Sequence, residues 1–319
     1  MMSSRAPSVV VPTYNGVTRI SRLLDSLRLQ TLPHDIVVVD NASTDGTREL
    51  LERDYPEVNV IALDRNLGFG GAVNRGVVHT SSSTLVLLNN DVVCESEFLS
   101  RLCEALDPVD GVVMAAGVLL QGAEPAYIDT AGIEFDRTLL AFDYLHGEHV
   151  SVLDGLVRDP FGPCAGAAAF DREAFDSVGG FDEAFFAYLE DVDLVARLLL
   201  TGGRCRLAPD ARAAHEHSAT LGRRSRTKGE LVAWGRGYTI GKYRMHRNPR
   251  LLGRAVLTEA VSAVGKAIVD RNPLGIRVRI QGWRVGRRSP ARSLAGLPQE
   301  VHAISFVDTI DRRARRRLR

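Results

Sequence analysis

Cysteine is scarce in this chain: four residues in 319, with no C-x-x-C pair and no grouping with histidine at zinc-ligand spacing. This excludes a disulfide scaffold and a structural zinc module. It makes a reducing, cytoplasmic compartment the default, and reads Cys94, Cys103, Cys164 and Cys205 as small buried hydrophobes. Long apolar runs are missing too. Val112–Leu120 is among the longest, well short of the roughly 18–20 residues that span a bilayer, so membrane contact is expected to be peripheral at most. Val9–Val11 is too short an apolar stretch before Pro12 and Asn15 to serve as a secretory signal. Neither a G-x-x-x-x-G-K-[ST] loop nor a G-x-G-x-x-G after the first strand is present, which argues against an NTPase or a dehydrogenase.

Net charge is nearly absent as well, with 40 Lys+Arg against 39 Asp+Glu giving +1. The two parts of the chain are nevertheless opposite. Residues 1–220 carry 16 basic and 33 acidic side chains, a net of −17, and residues 221–319 carry 24 and 6, a net of +18. At 45% apolar and 25% charged, the composition is that of an ordinary globular protein of one large domain or two smaller ones.

What is present is a repeating strand–loop–helix pattern. Ser8–Val11 is a β-branched run that ends in the turn residues Pro12–Gly16, after which Ile20, Leu23, Leu24 and Leu27 recur at helical spacing. Ile36–Val39 reads as the second strand, followed by the loop Asn41–Gly46 and a helix containing Glu49–Arg53, with Ser43 and Thr44 as capping candidates. Val58–Leu63 leads through Gly68, Gly70 and Gly71 to a helix from about Ala72, and Leu85–Leu88 is a fourth strand. Apolar strands separated by helices predict a parallel sheet covered on both faces.

Ligands of such sheets bind beyond the carboxyl ends of the strands. Asn15, Asp40, Asn66 and Asn89-Asn90-Asp91 follow the four strands in turn, so acids and amides converge on one sheet edge. Each alone suits a cap or a turn. Together they fit a nucleotide held by side chains rather than by a glycine-rich cradle.

These segments resemble the donor-binding blocks of family 2 glycosyltransferases of the GT-A fold. The blocks are Val10–Asn15, Val37–Thr47, Arg65–Gly76 and Leu87–Asp91, joined by Gly179–Glu183 and Tyr188–Leu194, and the match covers roughly residues 8–220. Within the family the chain looks most like bacterial rhamnosyltransferases of cell-wall and surface-polysaccharide assembly. The resemblance implies a Rossmann-like α/β fold, with a mostly parallel sheet between helices in residues 1–220; the charge and apolar spacing of residues 221–319 predict a basic, mainly helical extension after it. It implies that Pro12, Tyr14 and Asn15 line the nucleotide pocket with Asn90, that Asp40 bonds the base or ribose, and that Asn66 and Asn74 hold the loop near the nucleotide. Asp91 would be the metal-binding acid for Mg²⁺ or Mn²⁺. The family usually writes that block with two acids, whereas here Asn89 and Asn90 precede one, and an amide contributes a dipole where a carboxylate contributes a charge.

A metal has an independent chemical rationale, because a nucleoside diphosphate leaves with developing negative charge that a divalent cation stabilises. A histidine in the region of His215 and His217 contacts the metal or diphosphate in some relatives, and a surface-turn histidine is the alternative. Glu190, Asp191 and Asp193 open an amphipathic helix that ends at Thr201-Gly202-Gly203. Acids there suit the helix dipole. The family places its base on the second acid of this block, which makes Asp191 the expected general base for an inverting transfer, with Glu190 and Asp193 positioning the acceptor or the helix. Residues 121–160 show no clean periodicity and take no individual roles; the resemblance puts the acceptor side there.

In the basic third, residues 223–250 hold nine basic side chains and one acid, interleaved with Trp234, Tyr238 and Tyr243. Leu257, Ala260, Val261, Val264 and Ile268 mark an amphipathic helix, and Arg312–Arg319 contributes six arginines. A solvated helical face would produce such a pattern; so would the surface of an anionic membrane, here the inner face of the cell membrane. Nucleic acid is not expected, since no recognition motif accompanies the charge. The resulting expectation is an enzyme that takes L-rhamnose from dTDP-rhamnose, or another sugar from a UDP donor, to a glycan or polyprenyl-diphosphate-linked acceptor. A nucleotidyltransferase would need a glycine- and lysine-rich N-terminal loop, which Pro12–Gly16 is not; a non-catalytic scaffold is the other alternative.

Overall fold

All six residues of the first strand, β1 (Ser8–Thr13), are buried, because alternate side chains feed two cores. Val10 packs with Val37, Val39 and Leu87 on one face of the sheet, and Val9 and Val11 pack with Val38, Val86 and Leu88 on the other. A strand apolar on both faces requires a layer over each. The computed structural model describes residues 6–122, 124–155, 157–215, 226–270 and 275–309.

After β1 come α1 (Ile20–Arg28), β2 (Asp35–Asp40), α2 (Thr47–Asp54), β3 (Asn59–Ala62), α3 (Gly68–Val78), β4 (Thr84–Leu88), β5 (Val92–Cys94) and α4 (Phe98–Glu104). The chain continues through β6 (Val112–Gln121), β7 (Glu124–Thr130), β8 (Ile133–Phe135), β9 (Ala141–Asp143), β10 (Ala167–Asp171), α5 (Arg172–Ser177), α6 (Glu190–Leu200) and β11 (Arg204–His215). Helix α1 covers one face with Ile20, Leu23, Leu24 and Leu27, and α3 covers the other with Ala72, Val73 and Val77.

The main sheet runs β3-β2-β1-β4-β10-β6-β11-β5, with β7 added beside β6. It is parallel from β3 through β4, and again between β6 and β11. The α/β class is as expected. The departure is β10, which enters between β4 and β6 antiparallel to both. A second difference is the cap of α2. Ser43 Oγ accepts from the Asn15 N–H instead, and Asp45 accepts from the Thr47 N–H.

The basic region contributes α7 (Arg226–Lys242), α8 (Pro249–Asp270), α9 (Gly275–Gly286) and α10 (Gln299–Ala303). Helices α7 and α9 touch backbone to backbone: a Cβ on Gly237 would stand 2.0 Å from the Arg279 carbonyl, and one on Gly282 2.2 Å from that of Trp234. The expected division near 220 falls within 216–225, outside the described residues, as do His217 and Arg312–Arg319 and the side chains of Val261, Val264 and Ile268. Beyond it, Tyr243, Met245, Leu294, Leu297 and Val301 join the same hydrophobic cluster as Val10 and Leu87.

The opposite charges of the two segments meet there. Lys242 Nζ lies 2.6 Å from both Asp182 and Asp193, and Arg254 Nε lies 3.1 Å from the fully buried Asp136. Tyr238 and Tyr243 are buried, and Trp234 stacks on Tyr238 at 5.0 Å beside Phe185. The interleaved aromatics of this stretch therefore serve packing. No helix among the described residues is long and apolar enough to cross a membrane.

Candidate active site

At the carboxyl edge of β1–β4, the turn after β1 and the loop after β2 are laced together. Thr44 N–H donates to Asn15 Oδ1 at 2.9 Å, Gly16 N–H to Thr47 Oγ1 at 3.0 Å, and Val17 N–H to Asp45 at 3.1 Å. Asn15 sits at φ 50°, a left-handed conformation that asparagine tolerates better than most residues. Pro12 is buried in β1, Tyr14 is 38% exposed, and Asp40 is buried with Oδ1 accepting from the Ser43 N–H. Asn90 Nδ2 donates to Thr13 Oγ1 at 2.8 Å. The Asn66 side chain accepts from Gly68 N–H at 2.8 Å, an Asx-type turn at the start of α3.

Asn41, which sequence reasoning did not single out, joins this edge to α3 by donating to the Gly68 carbonyl and accepting from the Leu67 N–H. Gly68 lies at φ 76°, where an added Cβ would collide with the Phe186 carbonyl, so glycine alone fits this approach. Asn74 lies on α3. Its amide pairs with the main chain of Phe181, donating to the carbonyl at 2.9 Å and accepting from the N–H at 3.0 Å. The loop it holds is the one that leads to the acid cluster.

That loop ends in two consecutive left-handed residues, Tyr188 and Leu189, at φ 71° and 73°. Such conformations cost about 1–3 kcal/mol each and gather at functional sites. They turn the chain abruptly into α6, whose first residues are Glu190 and Asp191. Glu190 is 7% exposed and its Oε2 has no hydrogen-bond partner among the described residues, whereas Asp191 is partly exposed and Oδ1 accepts from the Val192 N–H. Burial raises both carboxyls. Glu190 is pushed up to about 8, with the charge of Asp191 adding to the effect. Asp191 is raised to about 6, where burial and the charge of Asp143 outweigh main-chain N–H donors. Close to neutrality the pair thus holds one proton.

Asp193 is 2% exposed and sits in a buried ion-pair network. Its two oxygens bind Arg197, Lys242 and the Tyr243 hydroxyl. Cys164 lies among the acids: burial first, then the charges of Asp191, Asp143 and Asp129, hold its thiol well above the ordinary value.

Asp91 follows β4, 9% exposed, and its Oδ1 has no hydrogen-bond partner among the described residues. His215, the last residue of β11, places Nε2 3.4 Å from that oxygen and Nδ1 2.6 Å from Asp129. Burial opposes charge on His215, but its hydrogen bond to Asp129 and the adjacent charge of Asp91 outweigh this and raise it to about 9. No group of three His, Cys, Asp or Glu side chains among the described residues is arranged to hold a metal. Asp91 and His215 do fit a divalent cation that takes its remaining ligands from phosphate and water, the usual arrangement for a hard ion at a nucleotide.

An α/β sheet with amides and acids gathered at its carboxyl edge is the fold of a glycosyltransferase. The chain belongs to glycosyl transferase family 2, whose description matches residues 8–179, and residues 160–219 match the N-terminal domain of galactosyltransferase. It is 30% identical over 245 residues to the N-acetylglucosaminyl-diphospho-decaprenol L-rhamnosyltransferase of Mycobacterium tuberculosis, covering 67% of this chain and 77% of that protein. It is 22% identical to an O-antigen chain rhamnosyltransferase of Salmonella typhimurium, covering 67% of each. A mannosyltransferase from Pyrobaculum calidifontis, solved in complex with GDP-Man and Mn²⁺, shares the fold, with a TM-score of 0.53 at 19% identity over 98% of this chain and 88% of that one.

Proposed function

We propose that this glycosyltransferase moves L-rhamnose from dTDP-rhamnose to a hydroxyl of a polyprenyl-diphosphate-linked or glycan acceptor, inverting the anomeric carbon. The observation that carries the reading is the buried Asp91 carboxylate facing His215 Nε2 at 3.4 Å, at the strand edge where the four polar turns meet. Tyr14, Asn15, Asp40 and Asn90 border the nucleotide side, Pro12 backs it from β1, and Asn66 shapes the turn beside it. Asp91 and His215 are the residues to hold Mg²⁺ or Mn²⁺, which when bound offsets the charge of the departing diphosphate. Asp191, ionised near neutrality, takes the acceptor proton, while Glu190 retains its own and keeps a second negative charge away from the attacking oxygen.

The rhamnosyl preference draws on the rhamnosyltransferase relatives. Support for a lipid-linked acceptor comes from an apolar cavity of about 200 Å³ between the acid-bearing loop and α7, lined by Phe185, Phe186, Tyr188, Leu231 and Trp234. Lys228 stands over the Tyr188 ring at 5.0 Å, at the rim of this loop. Incubation with dTDP-rhamnose or UDP-sugars, a polyprenyl-diphospho-sugar acceptor and Mn²⁺ or Mg²⁺ should release dTDP and form a product whose anomeric configuration is inverted by NMR. Preference for a UDP-sugar would replace the donor, and a retained configuration would refute the single displacement.

The enzyme works at an anionic inner membrane face in this reading. Exposed Ile276, Ile280 and Val285 lie on α9 with exposed Arg277 and Arg284, and exposed Arg287 and Arg288 follow its end, the composition of a surface-lying helix. The full chain should float with vesicles containing anionic lipid at low salt and lose that association at high salt. Equal recovery with neutral vesicles at both salt levels would remove the electrostatic attachment.

A further inference from the structure

Strands β6 and β7 pair antiparallel with Leu119 opposite Thr130 and Leu120 opposite Ile128. Asp129 is therefore an extra residue on β7, a β-bulge, and bulges beside active sites re-aim side chains. Its carboxylate, in a residue 8% exposed, meets His215 Nδ1 at 2.6 Å. His146 braces the bulge, with Nδ1 2.6 Å from the Asp129 carbonyl and 3.6 Å from Oδ1. The other nitrogen of His215 faces Asp91 Oδ1. The sheet register delivers this arrangement: His215 pairs with Gln121 of β6 on one side and with Val92, the residue after Asp91, on the other.

We propose that Asp129 is a positioning residue for the metal–diphosphate site, accepting the Nδ1 proton of His215 and thereby presenting Nε2 as a ligand on the side of Asp91. An imidazole binds a cation through one nitrogen while the other keeps its proton, and the group that accepts this proton sets both tautomer and ring orientation. Asp129 is the only carboxylate of the 121–130 stretch that the bulge turns in this direction; Glu124 is exposed. The inference rests on the assignment of Asp91 and His215 to the metal made above.

The test measures Mn²⁺ binding to the full chain in the presence of dTDP or UDP, followed by loss of the free-ion electron paramagnetic resonance signal. Nucleotide binding in EDTA is measured beside it by calorimetry. Asp129→Asn is expected to weaken Mn²⁺ binding by about 10–100-fold, the usual effect of losing such a supporting group, with nucleotide affinity in EDTA unchanged. Asp129→Glu, which keeps the charge but displaces it by one methylene, should show the same split at smaller amplitude and serves if the asparagine variant does not fold. Unchanged Mn²⁺ affinity in either folded variant overturns the inference, as does an equal loss of both affinities, which marks a purely structural role. Asp91→Asn separates the two levels. If it loses Mn²⁺ while Asp129→Asn keeps it, the positioning role alone fails; if Asp91→Asn also keeps wild-type affinity, the metal assignment fails and the positioning role with it.

Discussion

Asp191→Asn is expected to lower sugar transfer by about 10²–10⁴-fold, the usual contribution of a positioned general base, while affinity for the nucleotide-sugar donor stays at the wild-type level. The residue is partly exposed at the start of α6, beside a neighbour that keeps its proton, so removing its charge disturbs neither the donor edge nor the buried network of Asp193. The pH profile follows from the same environment. Burial raises the Asp191 carboxyl to about 6, so kcat/KM of the wild type should fall about tenfold per pH unit below about 6, whereas an ordinary aspartate would place that limb near 4. The sign for stability is opposite. With both acids raised, the folded state holds more protons than the unfolded state between the ordinary carboxylate range and about 8, so the pair's contribution worsens as pH rises through that window. Initial rates and calorimetry across pH 5–9 are the measurements; near-normal turnover by Asp191→Asn, or an acid limb unmoved from 4, would assign the proton to another group.

Asp193→Ala is expected to cost about 3–5 kcal/mol of folding stability, because truncating one side of a buried ion pair leaves the other charge uncompensated. Asp193 and Arg197 are 2% and 3% exposed, and Lys242 is almost as deep. The Tyr243 hydroxyl binds the same carboxylate from the C-terminal region at 3.0 Å. A loss of that size is a large fraction of a typical domain's stability, and it would undock α7 from α6. Urea unfolding reads it directly. Replacing Arg197, the charge left unpaired, with Met in the Asp193→Ala background should recover part of the loss, since an apolar pair can substitute for a buried ionic one. A loss below about 1 kcal/mol, the range of exposed pairs, would mean that water screens this cluster.

Much of the donor half was legible in the sequence because it depends on local order. Apolar runs too short for helices, followed by turn residues and then by 3.6-residue periodicity, are enough to place β1, β2, β3 and β4, and chain direction alone puts Asn15, Asp40, Asn66 and Asp91 at one edge of a parallel sheet. The resemblance to family 2 glycosyltransferases carried Asp191. Residues 121–160 resisted because their pairing is non-local. The bulge that turns Asp129 toward His215 exists only when β7 is laid against β6 in its observed register, and no spacing rule announces the extra residue. Asn74 shows a second limit: an asparagine on a helix beside the donor loop could face either way, and the partner that settles it, Phe181, is 107 positions along the chain.

The charge of the chain divides along the same line. Composition by itself determined an acidic part and a basic part of nearly equal and opposite charge, and side-chain identity determined which acids and amides follow the strands. Whether opposite charges attract each other or an outside partner depends on distance and burial, and these exist only after folding. Tertiary structure decided that Lys242 and Arg254 are spent inside, on Asp182, Asp193 and Asp136, and that Arg277 and Arg284 of α9 remain at the surface. It also decided that Glu190 and Asp191 sit side by side at the start of α6, where desolvation raises both carboxyls.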